Sequence, residues 1–365
     1  MSLSEVVNAV RAVDQHAHNV LRQDCELPFE AAFTEATDHN VWRRDTPHGL
    51  FFRRSVRQLA VLYDCAPSLA DVLAARQALS LKNRTALCVE RSNLRCMLLD
   101  DGLMPGQIMS WDWHQQFVPV KRLLRIEALA EKVMQDENCF ESFEHVFCAE
   151  LQAARTQQVG FKSIAAYRGG LDVPVSDREA ARDDYGRARK AGAVGSSPFY
   201  SYLFHRALEI AHDSSLPVQF HTGFGDPDLA LELSNPLLLR PLIERYKCPF
   251  VVLHAGYPFT REAGFLGSVY AHVWVDFGLA LPFLSVSGMR NCLRQLLELI
   301  PLNKLLYSSD ASLIPELYYL GSLNARRVLS DVLRECVVDG DLGPDEAVEA
   351  AHWILAENAV RLYGL

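Results

Sequence analysis

Ala12-Val13-Asp14-Gln15-His16-Ala17-His18 is the stretch on which the fold of this chain turns. The apolar lead-in reads as a short buried strand, with the histidines at its C-terminal end. Successive side chains of a strand point to opposite faces, so His16 and His18 project the same way, about 7 Å apart. Two imidazoles at that spacing can grip one metal ion. They can equally be two polar residues on a half-exposed strand, and the rest of the chain has to decide between the readings.

Working outward, seven further strands are expected at Arg95–Leu99, Val118–Ile126, Gly160–Tyr167, Pro217–His221, Pro249–His254, Val273–Phe277 and Leu305–Ser309. Helical spacing fills the gaps, over 127–158, 200–212, 237–246, 262–272 and 292–299. Strands alternating with helices pair in parallel, and eight such units close into a (β/α)8 TIM barrel. The whole chain, 1–365, then reads as one α/β domain, with extra helices at its C-terminal end over 325–337 and 344–363. A βα connection normally takes two to six residues. The long stretch after the first strand is therefore an inserted helical subdomain, a lid over about 25–82, which the barrel geometry hangs above the strand ends.

Chemistry-bearing residues fall at those ends. Strand five closes in His221, strand six in His254, and strand eight runs into Asp310. In an α/β barrel all C-terminal strand ends surround one mouth, so these residues converge with His16 and His18 despite their separation in sequence. Four imidazoles and a carboxylate suit a first-row divalent metal, with zinc the expected ion.

Composition narrows the partners. The 365 residues are 49% hydrophobic and 22% charged, with a net charge of −9. An acidic chain lacks the basic surface that nucleic acid or an anionic membrane requires. No apolar run is long enough to span a bilayer, and the N-terminus lacks the pattern of a signal peptide. Nine scattered cysteines without a CxxC read as reduced core thiols of a cytoplasmic protein. A small-molecule substrate is expected, and exposed helical surface leaves room for a homo-oligomer.

With these residues in place, the chain resembles the amidohydrolase superfamily, whose pattern is HxH on strand one, His on strands five and six, and Asp on strand eight. It is most similar to the amidohydrolase-2-type domain of nodulin and glutamine-synthetase-like fusion proteins. The likeness is carried by Val13–Asn19, by Gly160–Arg168, by His221–Asp226 running on to Ser234-Asn235-Pro236, and by Phe52–Ser55 in the lid. A synthetase-like portion is not expected within this chain.

The resemblance gives Lys162 a role, since many superfamily members carry a carboxylated lysine on strand four. The Lys162…Ala166-Tyr167 spacing is similar to theirs. A buried neutral amine can react with CO2 to give a carbamate that bridges two metals. The site would then hold two ions on His16, His18, Lys162, His221, His254 and Asp310. Without the carbamate it would hold one, above a structural lysine.

The resemblance further implies a metal-dependent hydrolase that cleaves a C–N bond, an amide or cyclic amide of a small carboxylate-bearing molecule. A γ-glutamyl conjugate is the first substrate expected. Metal-activated water would attack, with Asp310 as base, His254 as a further acid or base, and Tyr167 donating to the developing oxyanion. Arg168, on the parity of Lys162, could hold a substrate carboxylate. His48 in the lid and Asp226 and Arg240 beyond strand five are further candidate contacts. The alternatives are a one-metal decarboxylase and a barrel retained as a scaffold.

Overall fold

Every residue of the first strand is buried, and so is every residue of the fourth, fifth and sixth. Strands hidden on both faces belong to a parallel sheet covered by helices. The computed structural model describes residues 2–365 and shows that sheet. Its strands are β1 (Ala12–Ala17), β2 (Leu94–Asp100), β3 (Val120–Arg125), β4 (Gly160–Ser163), β5 (Val218–Phe220), β6 (Phe250–Val252), β7 (Val273–Asp276) and β8 (Leu305–Leu306). They pair in chain order. Between β8 and β1 the barrel is closed by single backbone hydrogen bonds, Gln15 N–H to Tyr307 O at 3.3 Å and Asp310 N–H to His16 O at 3.0 Å. The fold is the (β/α)8 barrel expected from the alternation of strands and helices.

Several elements are shorter than the sequence predicts. β4 stops at Ser163 instead of running to Tyr167, and Ala165–Tyr167 coil into a 3-10 turn. The buried Glu127 carboxylate causes the break. It accepts from Ser163 Oγ at 2.7 Å and from the Ile164 N–H at 3.1 Å, and so pulls the chain out of the sheet. β8 has two residues before buried Asp14 captures the Ser309 N–H at 2.8 Å. The helical stretch over 127–158 is two helices, Ile126–Asp136 and Phe140–Gln157. The helix Arg178–Ala191, rich in charge and poor in apolar spacing, is absent from the sequence reading.

The insertion after β1 begins with 3-10 turns and continues through the helices Leu50–Leu62, Leu69–Gln77 and Leu81–Ser92. Its aromatic cluster packs Phe33 on Phe51 and Phe52 at ring distances of 5.3 and 5.2 Å. Phe51 meets Phe283 of the barrel at 4.7 Å. Arg76 ties the lid down, its Nε donating to buried Glu316 at 2.6 Å and its Nη2 to Glu26 at 2.6 Å. All nine cysteines are free thiols. No described helix is long and apolar enough to cross a membrane.

Candidate metal centre

His16 and His18 sit where β1 ends, at a register irregularity between Asp14 and Ala17 that re-aims the chain. Their rings lie 5.0 Å apart, edge to face. The His18 Nδ1–H donates to the Asp100 carbonyl at 2.9 Å, which leaves the Nε2 lone pair free. Nε2 of His16 and of His18 stand 3.0 and 3.4 Å from Asp310 Oδ1. One ligand atom from each of the three residues lies within 4.8 Å of the others.

Asp310 adopts a positive φ of 50°, an uncommon conformation for a non-glycine residue. It is imposed by its N–H bond to His16 O and by the clamp of Asp14 on neighbouring Ser309. His254 follows β6 with a φ of 64°, and its N–H is held by the buried Asp276 carboxylate at 3.2 Å.

Lys162 Nζ projects from β4 to within 3.3 Å of His16 Nε2. His221 and His254 form a second pair, Nδ1 to Nε2 at 3.1 Å. The other nitrogen of His221 faces the Tyr167 hydroxyl at 3.2 Å and the Phe224 carbonyl at 3.1 Å. His254 Nδ1 lies 4.0 Å from Asp310 Oδ2.

Buried charge sets the protonation states. Burial drives the His16 pKa down to about 4, with the Lys162 ammonium adding to the effect. Burial likewise takes His254 down to about 3 and His221 well below its ordinary range. Burial opposes ionisation of Asp310, but the close approach of His254, His16 and His18 outweighs it and holds the carboxyl well below the usual range. Neutral imidazoles around an ionised carboxylate are the forms in which these groups ligate metal. Asp310 Oδ1 and His254 Nδ1 are buried without a hydrogen-bond partner. Buried polar atoms are seldom left orphaned, and divalent cations bound here would satisfy them. The residues present therefore fit the ion expected of them.

A cavity of about 280 Å³ opens over this cluster. Tyr167, Arg168 and Asp226 line it beside His18, Lys162, His221 and Asp310. Arg168 reaches it from the loop after the 3-10 turn, so the parity argument that placed it on strand four is corrected. Its Nη2 donates to Glu131 at 3.2 Å, while its Nε is buried and unpartnered.

Two candidates are not brought in. His48 is exposed at the end of a lid turn, beside Arg53 Nη2 at 3.1 Å. Arg240 opens an outer helix and pairs with Glu244 at 2.8 Å, its side chain 60% exposed. Neither residue lines the cavity. His114 and His205 are buried and hydrogen-bonded within the packing, away from the metal cluster.

Sequence reasoning missed three groups. Arg125 ends β3 and grips Asp100, its Nη2 at 2.6 Å from Oδ2, so it supports the residue behind His18. Arg125 stands at a strand end, and the rule that found His221 would have found it. Asp100 closes β2 in the same way. Glu35, in the lid and lining the cavity, carries no such signal.

Burial, with the Asp310 and Asp226 charges beside it, raises Glu35 from 4.5 to about 8. A carboxyl raised on folding contributes stability below its unfolded pKa and loses it as pH rises through the folded one. In metal-stripped protein, Glu35→Gln should melt with the unmutated chain below about pH 4.5. It should gain across the window to about pH 8 and stay higher by about 2 °C or more above it. Equal melting at every pH would show that Glu35 is not held protonated.

A barrel with two imidazoles and a carboxylate converging at its C-terminal mouth defines a metal-dependent enzyme of the α/β-barrel class. A family model described as amidohydrolase matches residues 115–365. The chain belongs to the amidohydrolase family and is a hydrolase-type enzyme. His16 and His18 precede the matched segment. Protein fluG of Emericella nidulans is 35% identical over 408 residues, an alignment covering 100% of this chain and 47% of that protein. The chain thus spans about half the length of that relative. A Lactobacillus casei protein described as a metal-dependent hydrolase superposes with a TM-score of 0.88 at 27% identity, over 100% of this chain and 97% of that one. Uronate isomerase from Thermotoga maritima shares the fold, with a TM-score of 0.68 at 15% identity over 99% and 96% of the two chains.

Proposed function

We propose that the chain hydrolyses a C–N bond, an amide or cyclic amide of a small molecule carrying a carboxylate, at a zinc-type centre. The observation that carries this reading is the approach of His16, His18 and Asp310 to within ligating distance of one another, with His18 and Asp310 lining a cavity. The L. casei relative described as a metal-dependent hydrolase supports it. His16, His18 and Asp310 would hold one ion, and His221 and His254 a second. When bound, the metal supplies Lewis-acid polarisation of the scissile carbonyl and a water of lowered pKa.

The chain's own residues do the rest. Asp310, ionised and with Oδ1 unpartnered, takes the proton of the attacking water and passes it to the leaving nitrogen. Tyr167, whose pKa burial raises, keeps its phenolic proton and donates it as a hydrogen bond where oxyanion charge develops. Arg168 offers its unpartnered Nε to a substrate carboxylate, and Glu131 fixes the guanidinium from behind. Asp226 and Asp228 on the opposite loop suit an ammonium group. A ligand with both charges, such as a γ-glutamyl amide, fits that pairing.

Lys162 is brought down to about 8 by burial, so part of it is free amine near neutral pH. A free amine is the form that combines with CO2 to give the bridging carbamate proposed here.

A panel of γ-glutamyl and cyclic amides, assayed with zinc added and with zinc chelated, tests the reading. Metal-dependent release of amine is expected. Decarboxylation of an added carboxylate with no amide cleaved would overturn it in favour of a lyase.

A further inference from the structure

A second pocket, of about 380 Å³, shares no lining residue with the metal cavity. Its floor is one face of the lid helix Leu50–Leu62, where Arg54, Arg57 and Gln58 recur at helical spacing. Arg327 closes it from the helix Glu316–Asp339. Ser285 and Val286 close it from the start of the helix Val286–Leu297.

Three guanidinium groups thus face one space, and no carboxylate lines it. Among the described residues 15 of the 29 arginines are ion-paired, and none of these three is. Arg54 is only 7% exposed, and its Nε is buried without a partner. A buried donor left unpaired is costly, and like charges brought together add to that cost. Ser285 Oγ caps its helix by accepting the Gly288 N–H at 3.0 Å. The N–H groups of the first turn are left without intrahelical acceptors, at the positive end of the helix dipole.

We propose that this pocket binds a small phosphate-type oxyanion, either the free ion or a phosphate monoester. Three guanidinium groups and a helix N-terminus offer donors from three directions. That arrangement matches a tetrahedral oxyanion better than a planar carboxylate with two acceptors. The site is wired to the catalytic cavity through Arg54, which also donates through Nη2 to the Pro282 carbonyl. Phe283, the next residue, lines the metal cavity and packs against Phe51 of the same lid helix. An anion that engages Arg54 therefore acts on the segment forming one wall of the active cavity.

Calorimetric titration of metal-loaded protein with inorganic phosphate, a phosphate monoester and acetate tests the assignment. The comparison is the double variant Arg57→Gln/Arg327→Gln, which leaves buried Arg54 and the metal ligands in place. Saturable phosphate binding is expected in the unmutated protein, weakened roughly a hundredfold in the variant at about tenfold per guanidinium removed. Metal content and melting temperature without phosphate should be unchanged. Equal affinity for phosphate and monoester identifies the free ion as the ligand, and tighter monoester binding identifies a phosphorylated small molecule. Phosphate binding undiminished in the variant would assign that binding to the metal centre and overturn the proposal. No binding, or a preference for acetate, would overturn it as well.

Discussion

If the proposed amide hydrolysis is the reaction, Asp310→Asn is expected to lower kcat by roughly a thousandfold or more. The side chain serves two functions that an amide cannot. Its Oδ1 stands at 3.0 and 3.4 Å from the Nε2 atoms of His16 and His18, where only an anion favours a shared cation. Its low pKa, won against burial by the surrounding imidazoles, keeps it ionised and able to receive a proton. Asparagine matches it in shape, so the Asp14–Ser309 clamp beside it should hold and the fold should survive. Metal analysis alongside the kinetics separates the two losses. A variant that keeps its zinc but not its turnover has lost the base. A variant within about tenfold of the unmutated kcat would show that the proton passes through another group.

Lys162→Ala should reduce bound zinc from about two equivalents to one or fewer. Two divalent cations close together repel strongly, and an anion between them is needed to screen that repulsion. Of the residues around Lys162, His16 lies 3.3 Å from Nζ and is neutral, and Asp310 is already committed to the first ion. The carbamate is thus the missing anion in the proposed arrangement. Added bicarbonate should not restore the second equivalent to the variant, whereas a short carboxylic acid should do so in part. One equivalent in the unmutated protein would instead leave His16, His18, His221 and Asp310 around a single ion, with His254 free as an acid or base.

The sequence by itself determined the barrel and which five polar residues stand at its strand ends, for a physical reason. Parallel strands buried on both faces leave runs of apolar residues, and a barrel collects whatever polar residue ends each run at one mouth. His16, His18, His221, His254 and Asp310 all interrupt such runs, so topology alone brings them together. Lys162 was legible only through the family resemblance, which places a functional lysine on strand four.

The tertiary structure decided the loops. Glu127, far from β4 in sequence, ends that strand at Ser163 and re-aims Tyr167 and Arg168, which no local pattern reports. The folded chain left His48 and Arg240 exposed and outside the cavity, and put Glu35 in its lining. Which residue stands at a strand end follows from chain alternation and topology, which are local and regular. Which loop residue reaches the substrate depends on long-range contacts such as Glu127 with Ser163 and Arg76 with Glu316, and those exist only once the chain has folded.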